Sequence, residues 1–369
     1  MPAADSAGRS GLHRIGETGF MAKRQKRVVL SLLGSAGLFL TQLASAAAPP
    51  LPPPSRGTPS ASDQTQIAAF VQYYAQQMSA AAHRRAMVRA RRKLLAPLLS
   101  KTNPPSAEFT YDFGTQVAND FTSLLSNKKT ALNAAITIGS ISDISMQAPL
   151  QAALTNASPA VRYWGAKGMG NIFSALMSIG PAYQQAVAAV QQALAVETDP
   201  LVAGEMSSVL LTQNPLPPGL ANLIAKAVAR GIAHYQDVVP TNLDILSSLT
   251  ADLAEAAQHG ATLTDAQKLA AMNTLTVLMS DTAQYLSAQL LDRKQMLSAF
   301  PVINNAAAAM NAITGTTNFS LSGLSAQSNP AAVLLAVNAI TGSQGQAGAV
   351  QKLFPKVPIP HRISALQTN

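Results

Sequence analysis

Ser126-Asn127-Lys128-Lys129 fits S-x-x-K, in which a lysine amine can stand beside a nucleophilic serine. The companion S-D-N and K-T-G motifs are absent, and the stretch falls at a turn between two helical patterns, where a serine reads as a helix cap. Beyond residue 46 the histidines are His83, His234, His259 and His361, none in H-x-x-x-H or H-E-x-x-H spacing, so no helix offers two imidazoles to one zinc ion. The chain has no cysteine, which excludes thiol catalysis, thiolate metal sites and disulfides. Glu197 and Asp199 form a close acidic pair of the kind that serves proton transfer. At the start of a helix such acids are read as solvated partners of its dipole. Gly165, Gly168 and Gly170 match neither the dinucleotide nor the phosphate-loop pattern and sit within a helical period, where small residues allow close packing. His259 precedes Gly260 and reads as the last residue of a helix. These residues make no catalytic constellation, and the sequence implies no enzyme and no cofactor.

Two sets of residues have binding chemistry instead. Tyr163, Trp164 and Lys167 combine amphipathic rings with a cation, the kind of side chains that anchor protein interfaces. Trp164 is the single tryptophan, and core packing is its alternative role. Arg84, Arg85, Arg89, Arg91, Arg92 and Lys93 form the second set. At about 100° per residue they cover half of a helix, with Met87 and Leu94 on the apolar strip beside them. Such a face either stays solvated over apolar surface or grips an anionic membrane or polyanion.

The element that must carry Tyr163 to Lys167 is the stretch 148–172. It reads as a helix, a tight turn at Asn156 to Pro159 and a second helix, in which Val161, Trp164, Gly165, Gly168, Met169 and Ile172 share one face. One such hairpin cannot bury its apolar stripe; it needs neighbours stacked on either side. Leu150, Ala153, Leu154, Pro159, Val161, Arg162 and Ala166 resemble a HEAT-like repeat, of the short kind named after phycobilisome lyases. The resemblance implies an armadillo-like α-solenoid. By analogy of fold alone it also allows an enzyme of lyase type. A weaker copy spans about 115–142. In a third, at about 183–211, Ala193, Leu194, Pro200 and Val202 repeat the pattern. There Ala203 stands where Arg162 stands in the central copy. Stacking places Arg162 against the next turn, at Glu197 or Asp199.

Composition agrees with helices. Of 369 residues, 48% are hydrophobic, 5% aromatic and 12% charged, too apolar for general disorder and too poor in aromatics for one thick core. The expected fold class is all-α: a short α-solenoid of HEAT-like hairpins, followed by a helical bundle or divergent capping repeats. The expected organisation is an N-terminal extension with signal peptide at 1–46, a proline-rich linker at 47–62 and one long basic helix at 63–101. The repeats occupy 107–213, a C-terminal helical region 219–353, and an extended, loosely held tail 354–369. Within 219–353 the helical patterns are 220–235, 241–258, 263–298 and 331–340.

The formal charge is +9. Residues 1–46 hold six basic and two acidic side chains, so the remainder carries +5, and the cations from Arg84 to Lys93 exceed that alone. Elsewhere the chain is about neutral, which leaves a local rather than a global case for binding anions. Lys23, Arg24, Lys26 and Arg27 precede the apolar run Val28 to Leu40 and the small residues Ala44-Ser45-Ala46, the pattern of a cleaved secretory signal starting at Met21. An uncleaved anchor is the alternative. The sequence thus points to a noncatalytic scaffold, exported to the periplasm or beyond, binding a protein or an envelope polymer, with a membrane or polyanion as the variant partner of the basic helix. Edman sequencing of exported chain should begin at or near Ala47; a chain that keeps Lys23 to Arg27 refutes the cleavage.

Overall fold

The computed structural model describes residues 47–363 apart from 56, 236, 261 and 344. The expected signal segment lies outside them. Among the described residues the protein is all-α, with fourteen α-helices and no strand. No helix among them is long and apolar enough to cross a membrane.

The helices follow one another as hairpins: α1 (Ala61–Ala80) with α2 (Arg84–Leu95), α3 (Ala107–Phe121) with α4 (Ala131–Gly139), and α5 (Gln147–Leu154) with α6 (Pro159–Leu176). Then come α7 (Gly180–Val196) with α8 (Pro200–Leu211), α9 (Leu220–Gly231) with α10 (Leu243–His259), and α11 (Asp265–Ser287) with α12 (Arg293–Thr314). The short helices α13 (Pro330–Thr341) and α14 (Ala349–Leu353) close the order. Besides packing within each hairpin, every odd-numbered helix from α1 to α13 touches the next odd one, and every even-numbered helix from α2 to α12 touches the next even one. The core lies between these two rows. It contains few rings; Ala, Val, Leu, Ile and Met fill most of it.

Small residues set the spacing of the even row. A methyl group added at Gly168 of α6 would stand 2.7 Å from Cα of Gly139 in α4, and one at Gly139 would stand 2.9 Å from the carbonyl oxygen of Trp164. The two backbones therefore meet where neither residue has a side chain. Asn171 donates to the Gly139 carbonyl at 2.8 Å and fixes the register of the same crossing.

Several expected elements are corrected. The single helix expected over 63–101 is two, broken at Ala81 to His83, where Ala81 turns to ψ 123°. Ile67, Phe70, Val71, Tyr74 and Met78 are buried at helical spacing, and continuing that stripe would bring Arg85 and Arg89 into the core. The break rephases the chain, so Met87, Ala90 and Leu94 are buried and both arginines are exposed. The pattern over 263–298 likewise divides: Gln289 takes a left-handed φ of 58°, and Asp292 with Gln295 forms a capping box that starts α12. The linker is not a free tether after residue 47. Pro52 and Pro59 are buried, Leu51 packs on the core, and Ser106 donates from its backbone to the Pro54 carbonyl at 2.9 Å. The tail is also held through residue 363: Val357 and Ile363 are buried, and the Ile363 amide donates to Gln284 Oε1 at 3.0 Å.

Gly168→Ala tests the α4–α6 crossing. Alanine favours a helix by about 1 kcal/mol over glycine, yet here overpacking of about 1–3 kcal/mol should lower the urea midpoint. Gly204→Ala, on α8 with open space around the added methyl, should be neutral or stabilising. Equal responses at the two sites would reject backbone contact as the reason for Gly168.

Candidate partner-binding surface

Pro159 at the first turn of α6 starts a helix that has no need of that N–H. From there the even-row contacts decide which side chains stay outside. Of the face expected on α6, Val161, Gly165, Gly168, Met169 and Ile172 are buried, whereas Trp164 is half-buried. The three expected contacts fan across the open side of the helix. Trp164 leans to α4, against Gly139. Tyr163 leans to α8, where burial first and Glu205 second push its phenol up to about 12. Lys167 is exposed between them, its Nζ 5.2 Å from the Trp164 ring centre, within the reach of a cation–π contact. The two rings meet edge to face with centres 6.2 Å apart.

On α2 the structure divides the six cations. Arg84, Arg85, Arg89, Arg92 and Lys93 are exposed. Arg91 is not part of the open face: its Nη1 donates to Oδ1 of the buried Asn133 on α4 at 2.7 Å. Burial, with Arg92 and Arg84 adding repulsion, draws its guanidinium below the usual arginine range. Arg91 is thus a tie between α2 and α4. Since α2 touches α4 and α4 touches α6, the arginines and the Tyr163–Lys167 cluster lie along the same row of helices, separated by one helix that offers the half-buried Leu132 and Ile136.

The close acidic pair read for chemistry is engaged in the fold. Glu197 is not a solvated acid; it is 4% exposed. Its carboxylate takes Arg162 Nε at 2.6 Å and Nη2 at 2.7 Å, and the backbone amides of Thr198 and Asp199 at 2.9 and 2.8 Å. Burial alone would raise its pKa, but the Arg162 hydrogen bond and the two amides outweigh it and hold the carboxyl below the usual range. Asp199 caps α8. Ser126 ends a 3-10 turn between α3 and α4 and caps neither helix with its side chain. His259 is the last residue of α10, as expected.

The turn-to-turn contact expected of Arg162 is therefore present at Glu197, and it belongs to a longer series. Asn156 donates from the α5–α6 turn to the Leu125 carbonyl of the preceding turn at 2.9 Å, and Arg162 also holds the Asn156 carbonyl at 2.9 Å. Arg230, at the end of α9, donates to the carbonyls of Glu197 at 2.6 Å and Leu194 at 2.8 Å. Sequence reasoning missed Arg230 because it sits on an odd helix, out of register with Arg162. Its place in the last turn of α9 was the available signal.

Two other carboxyls are shifted upward. Asp252 on α10 pairs with the buried Ser207 of α8, and burial pushes it up to about 6. Ser207 Oγ donates to Asp252, which favours the ionised carboxyl against its burial, and it also contacts the Gly204 carbonyl. Asp281 on α11 is 1% exposed with Oδ2 unpartnered, and burial pushes it up to about 7, which lets it be accommodated as the neutral acid. No group of three or more His, Cys, Asp or Glu among the described residues could hold a metal ion.

No family model, curated protein or solved structure matches this chain.

Arg162→Ala should cost about 3–5 kcal/mol, because it strands a buried carboxylate. Adding Glu197→Ala should recover part of that loss in chemical unfolding. A single-variant cost under about 1 kcal/mol, typical of a solvated pair, would show that the bridge does not hold the turns together.

Proposed function

We propose that this chain is a noncatalytic, exported scaffold of HEAT-like hairpins whose even-numbered helices present a binding face to a protein or polymer partner bearing acidic groups. The observation that carries this reading is the open Tyr163–Lys167–Trp164 cluster on α6, in one row with the exposed arginines of α2. The helix order supports the repeat reading: odd helices pack on odd and even on even, which is how stacked hairpins bury stripes that none can bury alone. Half-buried aromatic rings beside a cation supply contact area with little side-chain entropy to lose. The α2 arginines supply long-range attraction for anions. The close acidic pair is engaged in the fold, Glu197 in a buried tie and Asp199 in a helix cap.

The α2 face by itself favours a second reading, attachment to an anionic membrane, because Arg91 anchors the helix while its neighbours stay exposed. Poly-glutamate and phosphatidylglycerol vesicles separate the two. The full chain should bind poly-glutamate in calorimetry, with a steep loss as salt rises. Replacing Arg84, Arg85, Arg89 and Arg92 with glutamine should weaken binding about tenfold or more without lowering the melting temperature, and Trp164→Ala with Lys167→Ala should weaken it further. Binding to vesicles alone, untouched by the α6 substitutions, would favour the membrane. Equal binding by wild type and the arginine variant would reject both.

A further inference from the structure

The last long hairpin buries a carboxyl without giving it a partner. From Leu278 to Leu286 every residue of α11 except Gln284 is buried. Asp281 lies in this stretch, 1% exposed and with Oδ2 unpartnered. One turn on, Tyr285 lies in the field of Asp281 and of Asp237. The cations of the packed elements are directed elsewhere. On α9, Lys226 is exposed and Arg230 holds the carbonyls of Glu197 and Leu194. On α12, Arg293 is exposed and Lys294 pairs with Asp244 of α10 at 2.9 Å. Lys268 of α11 itself is about 20 Å along the helix. Helix α13 has no titratable side chain, and His361 and Arg362 of the tail are exposed. An ionised carboxylate without a partner is costly in such a place, so the closed fold requires the neutral acid.

What separates Asp281 from water is held loosely. A cleft of about 380 Å³ runs between Gln284 and Ala288 of α11, Leu334 and Asn338 of α13, and Pro360 and His361 of the tail. Around the helix Asp281 stands about 20° from Ala288 and about 60° from Gln284, so the cleft opens beside it. Helix α13 packs chiefly on α11. The tail returns to α11 at one side chain: Gln284 donates to the His361 carbonyl at 3.2 Å and accepts from the Ile363 amide at 3.0 Å. We propose that residues 354–363, with α13 beneath them, form an acid-closed strap over α11: protonated Asp281 keeps it shut, and ionisation of that carboxyl, which calls for water, releases it. Burial raises the closed carboxyl to about 7, whereas an open one has the usual value of about 3.9. Closure is therefore strongest below about pH 4 and weakens by about tenfold per unit up to about pH 7. It is level above that, where both forms are ionised.

Hydrogen exchange of the full chain, followed by mass spectrometry and corrected for the intrinsic rate, tests this at about pH 5 and about pH 7.5. Protection of α13 and of the tail amides through Ile363 should fall about tenfold or more between the two, while α5 to α8 keep theirs. Asp281→Asn, which holds the neutral form at every pH, should remove the fall. Asp281→Ala gives the same comparison without a buried amide. In both variants the change with pH is read, which a uniform loss of stability does not produce. Asp252 titrates in this range as well, but it is common to all three chains and drops out of the comparison. An equal fall in wild type and both variants would overturn the proposal. So would a fall spread evenly over all helices, which would mean that the fold opens as a whole.

Discussion

Glu197 stays ionised at 4% exposure because Arg162 and two backbone amides surround it, and the hairpins depend on that arrangement. A turn between two helices ends with unsatisfied carbonyls and amides. In a stack of hairpins those groups come to lie beside the next turn. Arg162 satisfies its own turn at Asn156 and crosses to Glu197; Arg230 does the corresponding work for the end of α7. Asn156 makes the link in the other direction, to Leu125. The polar cost of many helix ends is therefore met by neighbours rather than by water. These bonds tie the turns from α3–α4 to α9–α10 to one another.

Between the turns the constraint is one of distance. Gly139 and Gly168 let two helices of the even row touch backbone to backbone, and Ala188, Ala189 and Ala193 of α7 line an open groove beside α5. Small residues thus have opposite consequences in the two rows. Where helices converge, glycine closes the space. Where the short α5 lies beside the longer α7, small side chains leave a groove open. A chain with few aromatic residues and no disulfides has to rely on such close fits, since it has no large rings or covalent ties to fill or bridge a gap.

The same geometry sorts the charged and aromatic residues. The break at Ala81 to His83 keeps Arg85 and Arg89 out of the core, and Asn133 takes Arg91 into it. What remains exposed on α2 is a cationic face along the row that also displays Tyr163, Trp164 and Lys167.

The sequence by itself determined the class of fold, the central hairpin and the contact of Arg162 with the following turn. These are local periodicities plus one translation between similar units, and both are written in residue spacing. It also placed His259 at a helix end, because glycine after a helix has a local meaning. Only the tertiary structure decided that 63–101 is two helices, since each half has a good apolar stripe and the conflict arises only when both must face one core. It alone separated Arg91 from its neighbours, made Glu197 a buried partner rather than a solvated acid, and tied down the proline-rich segment and the tail. In each case the deciding atom belongs to a residue distant in the chain: Asn133 for Arg91, Arg162 for Glu197, Ser106 for Pro54 and Gln284 for Ile363. Residue spacing records the period of an element. Burial and polar partnership depend on which elements meet, and that is settled only when the hairpins pack.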